Sequence, residues 1–447
     1  LSLQKNELRV MRGSSKFLIL LTATAVGPFA VAQAQQASPA QAAVAKPGSQ
    51  APGADPATPN AAPADPLAAE PAPPPPPPPV WTPGDVQQLL GYISATARDG
   101  LDPADYDAAG LADLLNAGDP AAYSAAATER FNLLSTDLAL GHVRRADRDG
   151  WMIPDKDLDA QKQDALLRSA LAQHRVADAL NGLLPSHPQY QNLKDALAAT
   201  APAEKDKINR LRLNMERWRW LPRELGDKYI IVNVPAYYVA LVENGETKWR
   251  ERAVAGAIKT PTPMLTATAT GVILNPWWEV PKSIEPEVRG KAGFVPVKGK
   301  DGRIQRWRQP PGPTNALGQL KFVMPNSEAI YLHDTNARSR FNDKIRSLSH
   351  GCIRTQHVVD LAKTIVTDEG NPEWTSAKID ETLASKKTVE AKFANPIPVY
   401  IVYFSSAAAT DGRIINYDDV YRRDAKVLSA LDGDLPAAKA KAQVASR

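Results

Sequence analysis

The chain of 447 residues has one cysteine, Cys352, and little net charge, with 53 basic and 49 acidic side chains giving +4. One cysteine excludes an intramolecular disulfide and any metal or iron–sulfur site built from several thiolates. The small net charge gives no electrostatic reason to expect a nucleic-acid partner. What remains for Cys352 is either a buried inert thiol or a nucleophile.

Long hydrophobic runs are also missing, apart from one near the start. Met11, Arg12 and Lys16 precede the mostly apolar residues 17–31, and residues 32–34 read Ala-Gln-Ala. A short basic region, an apolar stretch and small residues at the end are typical of a secretory signal peptide. Residues 1–34 are therefore predicted to direct export. An uncleaved anchor is the alternative, and it alone would keep the protein close to the inner membrane.

Proline is abundant, and 15 of the 39 prolines fall in residues 35–80. That stretch has no periodic apolar face with which to build a core, and its proline-rich end favours an extended polyproline II spacer. Residues 35–80 are predicted to be a disordered linker. Recognition of the prolines by a partner stays open as a second interpretation.

Residues 81–207 are predicted to be a helical region, because apolar side chains recur there at helical spacing. The residues that carry this pattern are Val86, Leu89, Leu90 and Ile93 in a first helix, Phe131, Leu134 and Leu138 in a second, and residues 166–180 in a third. His142, His174 and His187 are scattered through it and do not suggest a ligand cluster.

From residue 208 the pattern changes to short strand-like runs, among them residues 229–234 and 237–242. Asn244-Gly245 follows the second run and predicts a two-residue hairpin turn. The fold class is therefore α+β, with a helical N-terminal region followed by a β-rich domain over residues 208–425. Residues 426–447 are assigned to a C-terminal tail.

The side chains capable of chemistry concentrate in residues 331–354. A thiol becomes a good nucleophile as the thiolate, and a nearby imidazole or helix N-terminus lowers its pKa. His333 ends a predicted strand and is the favoured general base, ahead of His350. Cys352 precedes a predicted helix containing Val358, whose dipole is expected to favour a negative sulfur.

Two neighbours of the cysteine suit the same chemistry. Gly351 leaves room for a substrate carbonyl and permits backbone angles that let successive N–H groups converge on an oxyanion. Arg354 carries a permanent charge and a planar fork of donors suited to a substrate carboxylate. An inert buried cysteine remains an alternative. So does a zinc site, whose ligands would be His333, His350, Cys352 and His357.

These residues carry a resemblance to a known family. The string Ser349-His350-Gly351-Cys352-Ile353-Arg354, preceded by His333-Asp334-Thr335, resembles the active-site motif of the L,D-transpeptidase (YkuD-type) family. Residues 82–425 are similar to its large Gram-negative branch, whose scaffold domain resembles the helical region. The further matching segments are residues 216–222, 229–235, 261–263, 275–281, 309–313, 315–318 and 396–400.

The resemblance implies a cysteine-dependent acyltransferase of the periplasm that needs no cofactor and no metal. Cys352 would attack a peptidoglycan tetrapeptide stem, release D-Ala and pass the acyl group to a second stem as a 3→3 crosslink. His333 would be the base, held by the backbone carbonyl of Asp334, and the amides of Gly351 and Cys352 would bind the oxyanion. The residues expected to bind substrate are Arg354, His350, Ser349, Tyr331 and Trp278.

Two departures from the family pattern concern function. Many members carry Asn where this chain has Arg354, although the large branch has Arg. Residues 190–208 leave no room for the peptidoglycan-binding module that often separates scaffold and catalytic parts. The acceptor is left open between a second stem, water, a D-amino acid and a lipoprotein lysine, and so is the oligomeric state. A wall-binding protein without catalysis is the alternative from another class.

Overall fold

The computed structural model describes residues 76–409 and 411–433. The predicted signal peptide, residues 35–75 of the predicted linker and residues 434–447 lie outside that part of the chain. Residues 76–80 have no regular secondary structure. The first seven helices are α1 (Pro83–Ser94), α2 (Ala108–Ala117), α3 (Pro120–Leu140), α4 (Ala160–Ala172), α5 (Val176–Asn181), α6 (Pro188–Ala198) and α7 (Lys205–Arg219).

The helix starts follow from local side-chain chemistry. At α1, Thr82 and Asp85 form a reciprocal capping box, and Pro83 occupies the first turn, where its missing N–H costs nothing. The third predicted helix is in fact two. The chain turns between α4 and α5 at His174, whose φ of +53° cannot continue a helix. The apolar spacing alone did not reveal this break, because both short helices contribute to the same core.

A nine-stranded sheet forms the centre of the second part of the chain. Adjacent strands of this sheet are hydrogen-bonded in the order β10-β3-β11-β9-β8-β4-β12-β1-β2. These strands are β1 (Lys228–Asn233), β2 (Tyr238–Glu243), β3 (Glu246–Gly256), β4 (Leu265–Leu274), β8 (Leu320–Val323), β9 (Leu332–His333), β10 (Ser347–Ser349), β11 (Ile353–Thr355) and β12 (Val389–Val402). Strand β3 pairs with β2 over residues 246–252 and with β11 over residues 253–254, so the sheet closes on itself.

The predicted hairpin is confirmed. Asn244 and Gly245 both have positive φ, at +51° and +78°, and join antiparallel β2 and β3. Strand β12 begins at Val389 with a half that alternates buried and exposed residues, and it continues from Ile397 as a mostly buried run. Such alternation marks a strand with one solvated face, which a search for continuous apolar runs passes over.

Helix α7 lies between the helical region and the sheet. Trp218 stacks on Phe404 with ring centroids 4.7 Å apart, and Arg217 forms an ion pair with Asp424 at 2.8 Å. Buried residues from both regions form one hydrophobic core that runs from Trp81 to Leu431. Helix α7 also spans the boundary that the sequence places between residues 207 and 208.

Smaller elements complete the fold. A three-stranded sheet is built from β5 (Trp278–Glu279), β6 (Val295–Lys298) and β7 (Ile304–Gln309), with the short helix α8 (Glu285–Val288) beside it. Its apolar side chains form a separate small core of Val280, Ile284, Val288 and Trp307. The remaining elements are α9 (Val358–Asp368), α10 (Ser376–Ala384), β13 (Ser406–Ala408), β14 (Ile414–Asn416) and α11 (Asp424–Leu431).

Helix α11 runs past residue 425, so the predicted tail begins inside a packed helix. Its apolar side chains Val427, Ala430 and Leu431 are buried in the main core. Within residues 76–409 and 411–433, no helix combines the length and the apolar character needed to cross a bilayer.

Candidate active site

His333 lies in the middle of the sheet, on β9 between β8 and β11. Its register partners are Lys321 on one side and Arg354 on the other. The ring is buried, and Nδ1 lies 2.5 Å from the carbonyl oxygen of Asp334. Because a carbonyl can only accept, Nδ1 carries the hydrogen and donates it, which leaves Nε2 as an acceptor.

The surroundings of His333 keep the imidazole neutral. Burial, followed by the positive charge of Arg354, lowers its pKa to about 3, and Lys321 acts in the same direction. The hydrogen bond to the Asp334 carbonyl opposes this shift without overcoming it. A neutral ring with a free Nε2 can accept a proton, so the arrangement suits a general base.

The carboxylate of Asp334 is used elsewhere. It accepts hydrogen bonds from the backbone N–H of Gln319 at 3.0 Å and from Arg338 Nη2 at 2.9 Å. A Cβ at Gly318 would lie 2.3 Å from this carboxylate, so glycine is required for the close approach. Asp334 thus anchors the turn before β8 with its side chain and orients His333 with its backbone, as the family resemblance implied.

Cys352 lies in the loop between β10 and β11 and is partly buried. Its Sγ contacts the carbonyl oxygen of Ala329 at 3.7 Å. Burial raises the pKa of the thiol, while the backbone amide and hydroxyl of Tyr331 and the charge of Lys321 act to lower it. The resting thiol is therefore held in its protonated form.

The expectation that a helix dipole favours a negative sulfur on Cys352 is wrong. Strand β11 separates Cys352 from α9, which begins at Val358. The field of a helix terminus falls off within its first turn. The sequence pattern placed the cysteine shortly before a helix, but the extended residues 353–355 carry the chain away from it.

The Cys352 loop, residues 349–352, is held by side-chain hydrogen bonds. Ser349 Oγ donates to the Cys352 carbonyl at 2.6 Å and accepts from the Gly351 N–H at 3.1 Å. Thr262 Oγ1 donates to the Gly351 carbonyl at 2.7 Å. Gly351 has a φ of +121°, a conformation that side-chain-bearing residues rarely adopt.

These contacts change the expected oxyanion site. The Gly351 N–H already donates to Ser349 Oγ, so its predicted role as an oxyanion donor does not fit this arrangement. The hydroxyl of Ser349 forms both of its hydrogen bonds within the loop, so it stabilises the loop and is not free for the predicted contact with substrate. The amide of Cys352 remains as a donor, since no partner for it occurs in residues 76–409 and 411–433.

Tyr331 contacts the Cys352 thiol, and the side chain of Trp278 donates a hydrogen bond to the Tyr331 hydroxyl. The Tyr331 ring meets the His333 ring edge to face at 5.6 Å. Burial, and then the nearby Cys352, raise the pKa of the Tyr331 hydroxyl far above its usual value, while hydrogen bonding from Trp278 opposes the rise. The Tyr331 hydroxyl therefore keeps its proton and is a hydrogen-bond donor to the thiol, so Tyr331 is not only a packing residue.

Arg354 is half-buried on β11 and has no carboxylate partner among the described residues. Burial, and then the charge of Arg340, lower the pKa of its guanidinium. An uncompensated, partly desolvated cation is a suitable site for an anionic group of a ligand.

The side chain of His350 pairs with a residue outside the nine-stranded sheet. Its Nε2 lies 3.1 Å from Oε1 of Glu287, on α8, and both side chains are about half exposed. The pair links the Cys352 loop to the small three-stranded sheet and its helix.

The residues proposed for a zinc site are not gathered around one point. His357 pairs with Glu251 at 2.8 Å, while His350 pairs with Glu287. In residues 76–409 and 411–433 no three His, Cys, Asp or Glu side chains are close enough together to hold a metal ion.

Two residues of the site were missed in the sequence. The motifs give Lys321 no role, although a charged residue between the apolar Leu320 and Phe322 is a usable signal. Thr262 was noted only as part of a matching segment. Its contact with Gly351 spans 89 residues, and no local pattern shows such a pairing.

Comparison with known proteins agrees with this architecture. Residues 227–388 match the model of the L,D-transpeptidase catalytic domain (YkuD), and residues 77–197 match that of the scaffold domain. A Haemophilus influenzae protein named "Putative L,D-transpeptidase" is 27% identical over 343 residues, which cover 68% of this chain and 69% of that protein. The chain therefore contains an L,D-transpeptidase (YkuD) catalytic domain and a scaffold domain.

Solved structures of the same family are more distant. An L,D-transpeptidase from Mycobacterium smegmatis is 14% identical, with a TM-score of 0.21 over 39% of this chain and 58% of that one. The catalytic domain of Enterococcus faecium L,D-transpeptidase, acylated by ertapenem, is 16% identical, with a TM-score of 0.19 over 40% of this chain and 98% of that domain. At these scores the family assignment rests on the sequence matches.

Proposed function

We propose that this protein is a peptidoglycan L,D-transpeptidase in which Cys352 is the nucleophile. The observation that carries the proposal is the state of His333: buried, neutral, and oriented by the Asp334 carbonyl so that Nε2 is free to accept a proton. The chain has one cysteine, and it lies on the neighbouring loop against Tyr331. A base of this kind beside a thiol is the arrangement used for acyl transfer.

The first step forms a thioester. Sγ attacks the carbonyl carbon of the third residue of a tetrapeptide stem, a diamino acid reacting at its L centre. His333 takes the thiol proton and delivers it to the amine of the departing D-Ala. The thiol now contacts Ala329, so the contact with His333 must form when substrate binds; catalytic hydrogen bonds are often long before that point.

The tetrahedral intermediate needs a donor for its oxyanion, and the Cys352 amide fills this role. One such donor typically contributes about 3 kcal/mol to the stabilisation of the transition state. Arg354 binds a carboxylate of the donor stem, and Tyr331 and Trp278 line the cleft. In the second step the side-chain amine of another stem attacks the thioester, which releases Cys352 and leaves a 3→3 crosslink.

The site of action is the periplasm, on the evidence of the signal-like residues 1–34. N-terminal sequencing of the exported protein tests this, and a start near Gln35 is expected. A retained residue 1–34 segment would instead place the protein at the inner membrane.

Incubating the protein with purified disaccharide-tetrapeptide and weighing the products tests the function. A crosslinked dimer lighter by one D-Ala is expected from the wild type and not from Cys352→Ala. Release of D-Ala without a dimer would indicate a carboxypeptidase, and incorporation of added D-Met would indicate exchange of D-amino acids. Attachment of a lysine-bearing lipoprotein peptide would indicate a lipoprotein-anchoring enzyme.

Labelling with ertapenem separates the enzyme from a wall-binding protein. Intact-mass measurement should show one adduct per chain, absent in Cys352→Ala, because the sole thiol is the acylated group. An adduct that persists in the variant would rule out Cys352 as the nucleophile, and a wild type that is never acylated would favour binding without catalysis.

A further inference from the structure

Lys321 occupies a position on β8 directly opposite His333 in the register of antiparallel β8 and β9. Directly opposite residues of neighbouring strands place their side chains on the same face of a sheet. Leu320 and Phe322, on either side of it in sequence, are buried on the other face. Lys321 therefore shares the face of the sheet that carries the base.

The ammonium group of Lys321 lies over the ring of Tyr331, which is a neighbour of Cys352 as well. Lys321 Nζ lies 4.9 Å from the centroid of the Tyr331 ring, whose hydroxyl and backbone amide contact the thiol of Cys352. Within residues 76–409 and 411–433 no carboxylate forms an ion pair with Lys321. Burial lowers the pKa of its ammonium group, and the charges of Cys352 and then of Glu279 oppose this shift without overcoming it. The positive charge is thus not neutralised by the protein.

The other titratable groups around the thiol do not supply this charge. His333 is neutral, and the Tyr331 hydroxyl keeps its proton. Arg354 acts on His333 from β11, while Lys321 is the cation whose charge acts on Cys352. His350 is exposed and paired with Glu287, so its charge is both screened and compensated.

We propose that Lys321 is a positioning residue that favours loss of a proton from the Cys352–His333 pair and holds the thiolate before attack. The inference rests on the proposed role of Cys352 as nucleophile. When the pair loses its proton to solvent its net charge changes from 0 to −1, whichever residue gives up the proton. A nearby cation stabilises the charged state in either case.

The sole cysteine allows a direct test. The rate of alkylation by iodoacetamide, followed by intact mass from pH 5 to 10, reports the thiolate population without any stem peptide. The variants are Lys321→Met, which keeps the aliphatic stem, Lys321→Arg, which keeps the charge, and Lys392→Met as a control on the exposed side of β12. Thermal unfolding of each variant checks that the fold is retained.

We expect the midpoint of the Lys321→Met profile to rise by about half to one pH unit, with alkylation at pH 7.5 about three- to tenfold slower. The midpoints of the Lys321→Arg and Lys392→Met profiles should stay within about 0.2 pH units of the wild-type midpoint, a margin well below a one-unit pKa shift. An unchanged midpoint in Lys321→Met, or an equal rise in Lys321→Arg, overturns the proposal.

The same variants keep this result separate from the proposed function. Alkylation is independent of the acceptor and of turnover, so a shifted profile would stand even if no crosslink were formed. Conversely, crosslinking by wild type with an unshifted Lys321→Met profile would leave the transpeptidase intact and remove only the role of Lys321.

Discussion

Thr262 and Gly351 are joined by a hydrogen bond of 2.7 Å from the threonine hydroxyl to the glycine carbonyl. The same Oγ1 accepts the N–H of Gly256 at 2.8 Å. The backbone N–H of Thr262 donates to the hydroxyl of Tyr421, a residue in the segment before α11. That hydroxyl donates in turn to the Gly256 carbonyl. The Cys352 loop is therefore held by residues far from it in sequence.

Because this hydrogen bond holds the Cys352 loop, we expect Thr262→Val to slow acylation of Cys352 by about tenfold. This corresponds to about 1.4 kcal/mol in activation free energy. The loss of a buried partner leaves the Gly351 carbonyl unsatisfied, at a cost of about 1–3 kcal/mol. Single-turnover acylation by ertapenem measures the effect. Thr262→Ser, which keeps the hydroxyl, should react nearly as fast as the wild type, and equal slowing of both variants would contradict this role for the hydroxyl.

His333→Ala should slow acylation far more than His350→Ala. Loss of a general base typically costs about 10²- to 10⁴-fold, while an exposed residue paired with Glu287 should matter by less than about threefold. The same single-turnover assay gives both numbers. Comparable losses, or a larger loss in His350→Ala, would mean that the two histidines have been assigned the wrong way round.

Arg354→Lys should impair turnover although it keeps the charge, because lysine cannot offer two parallel hydrogen bonds to a carboxylate. The defect should be large with the native tetrapeptide and smaller with a donor whose matching carboxylate is amidated. Arg413→Lys is the control, since Arg413 is exposed and paired with Asp411. Turnover by Arg354→Lys equal to that of the wild type would leave Arg354 with a structural role only.

His142 gives the scaffold region a predicted pH dependence. Burial opposes its charge, but Asp137, at 2.8 Å, together with the charges of Glu216 and Asp105, outweighs burial and raises the pKa of His142 to about 9. A raised pKa stabilises the folded state fully below about 6.5, the unfolded value, and the contribution disappears as pH rises toward 9. The free energy of unfolding should therefore fall across that interval by an amount on the order of 2 kcal/mol.

Urea unfolding of His142→Gln at pH 6 and pH 9 checks this prediction. The glutamine can still donate to Asp137 but does not titrate, so its unfolding free energy should change less between the two pH values than that of the wild type. His174→Gln is the matched control, because His174 also contacts a carboxylate, Asp85 at 3.1 Å, but its side chain is 64% exposed. A wild type and His142→Gln with the same pH dependence would contradict the shifted pKa.

Several features could be read from neighbouring residues because their causes are local. The Asn244-Gly245 turn needs two positive φ angles, which these residue types tolerate, and the structure has both. The amphipathic spacing of α1 and α3 placed those helices for the same kind of reason. The family motif also located His333 and Cys352, although their chemical roles remain predictions.

Other features escaped because their causes are not local. Whether Cys352 lies at a helix N-terminus depends on the three residues that follow it, which pair with β3 and β9 as a strand. Whether the Gly351 amide is free depends on the rotamer of Ser349. Neither the pairing nor the rotamer is encoded by spacing within the motif.

The sequence by itself determined the order of regions, the single thiol available for chemistry and the residue types around it. Only the tertiary structure decided that the imidazole of His333 is neutral and that Lys321 and Arg354 lie on either side of it. It also decided that Thr262 holds the Cys352 loop. The physical reason is that pKa values and loop geometry depend on burial and on contacts between strands, and the closed sheet alone brings those residues together.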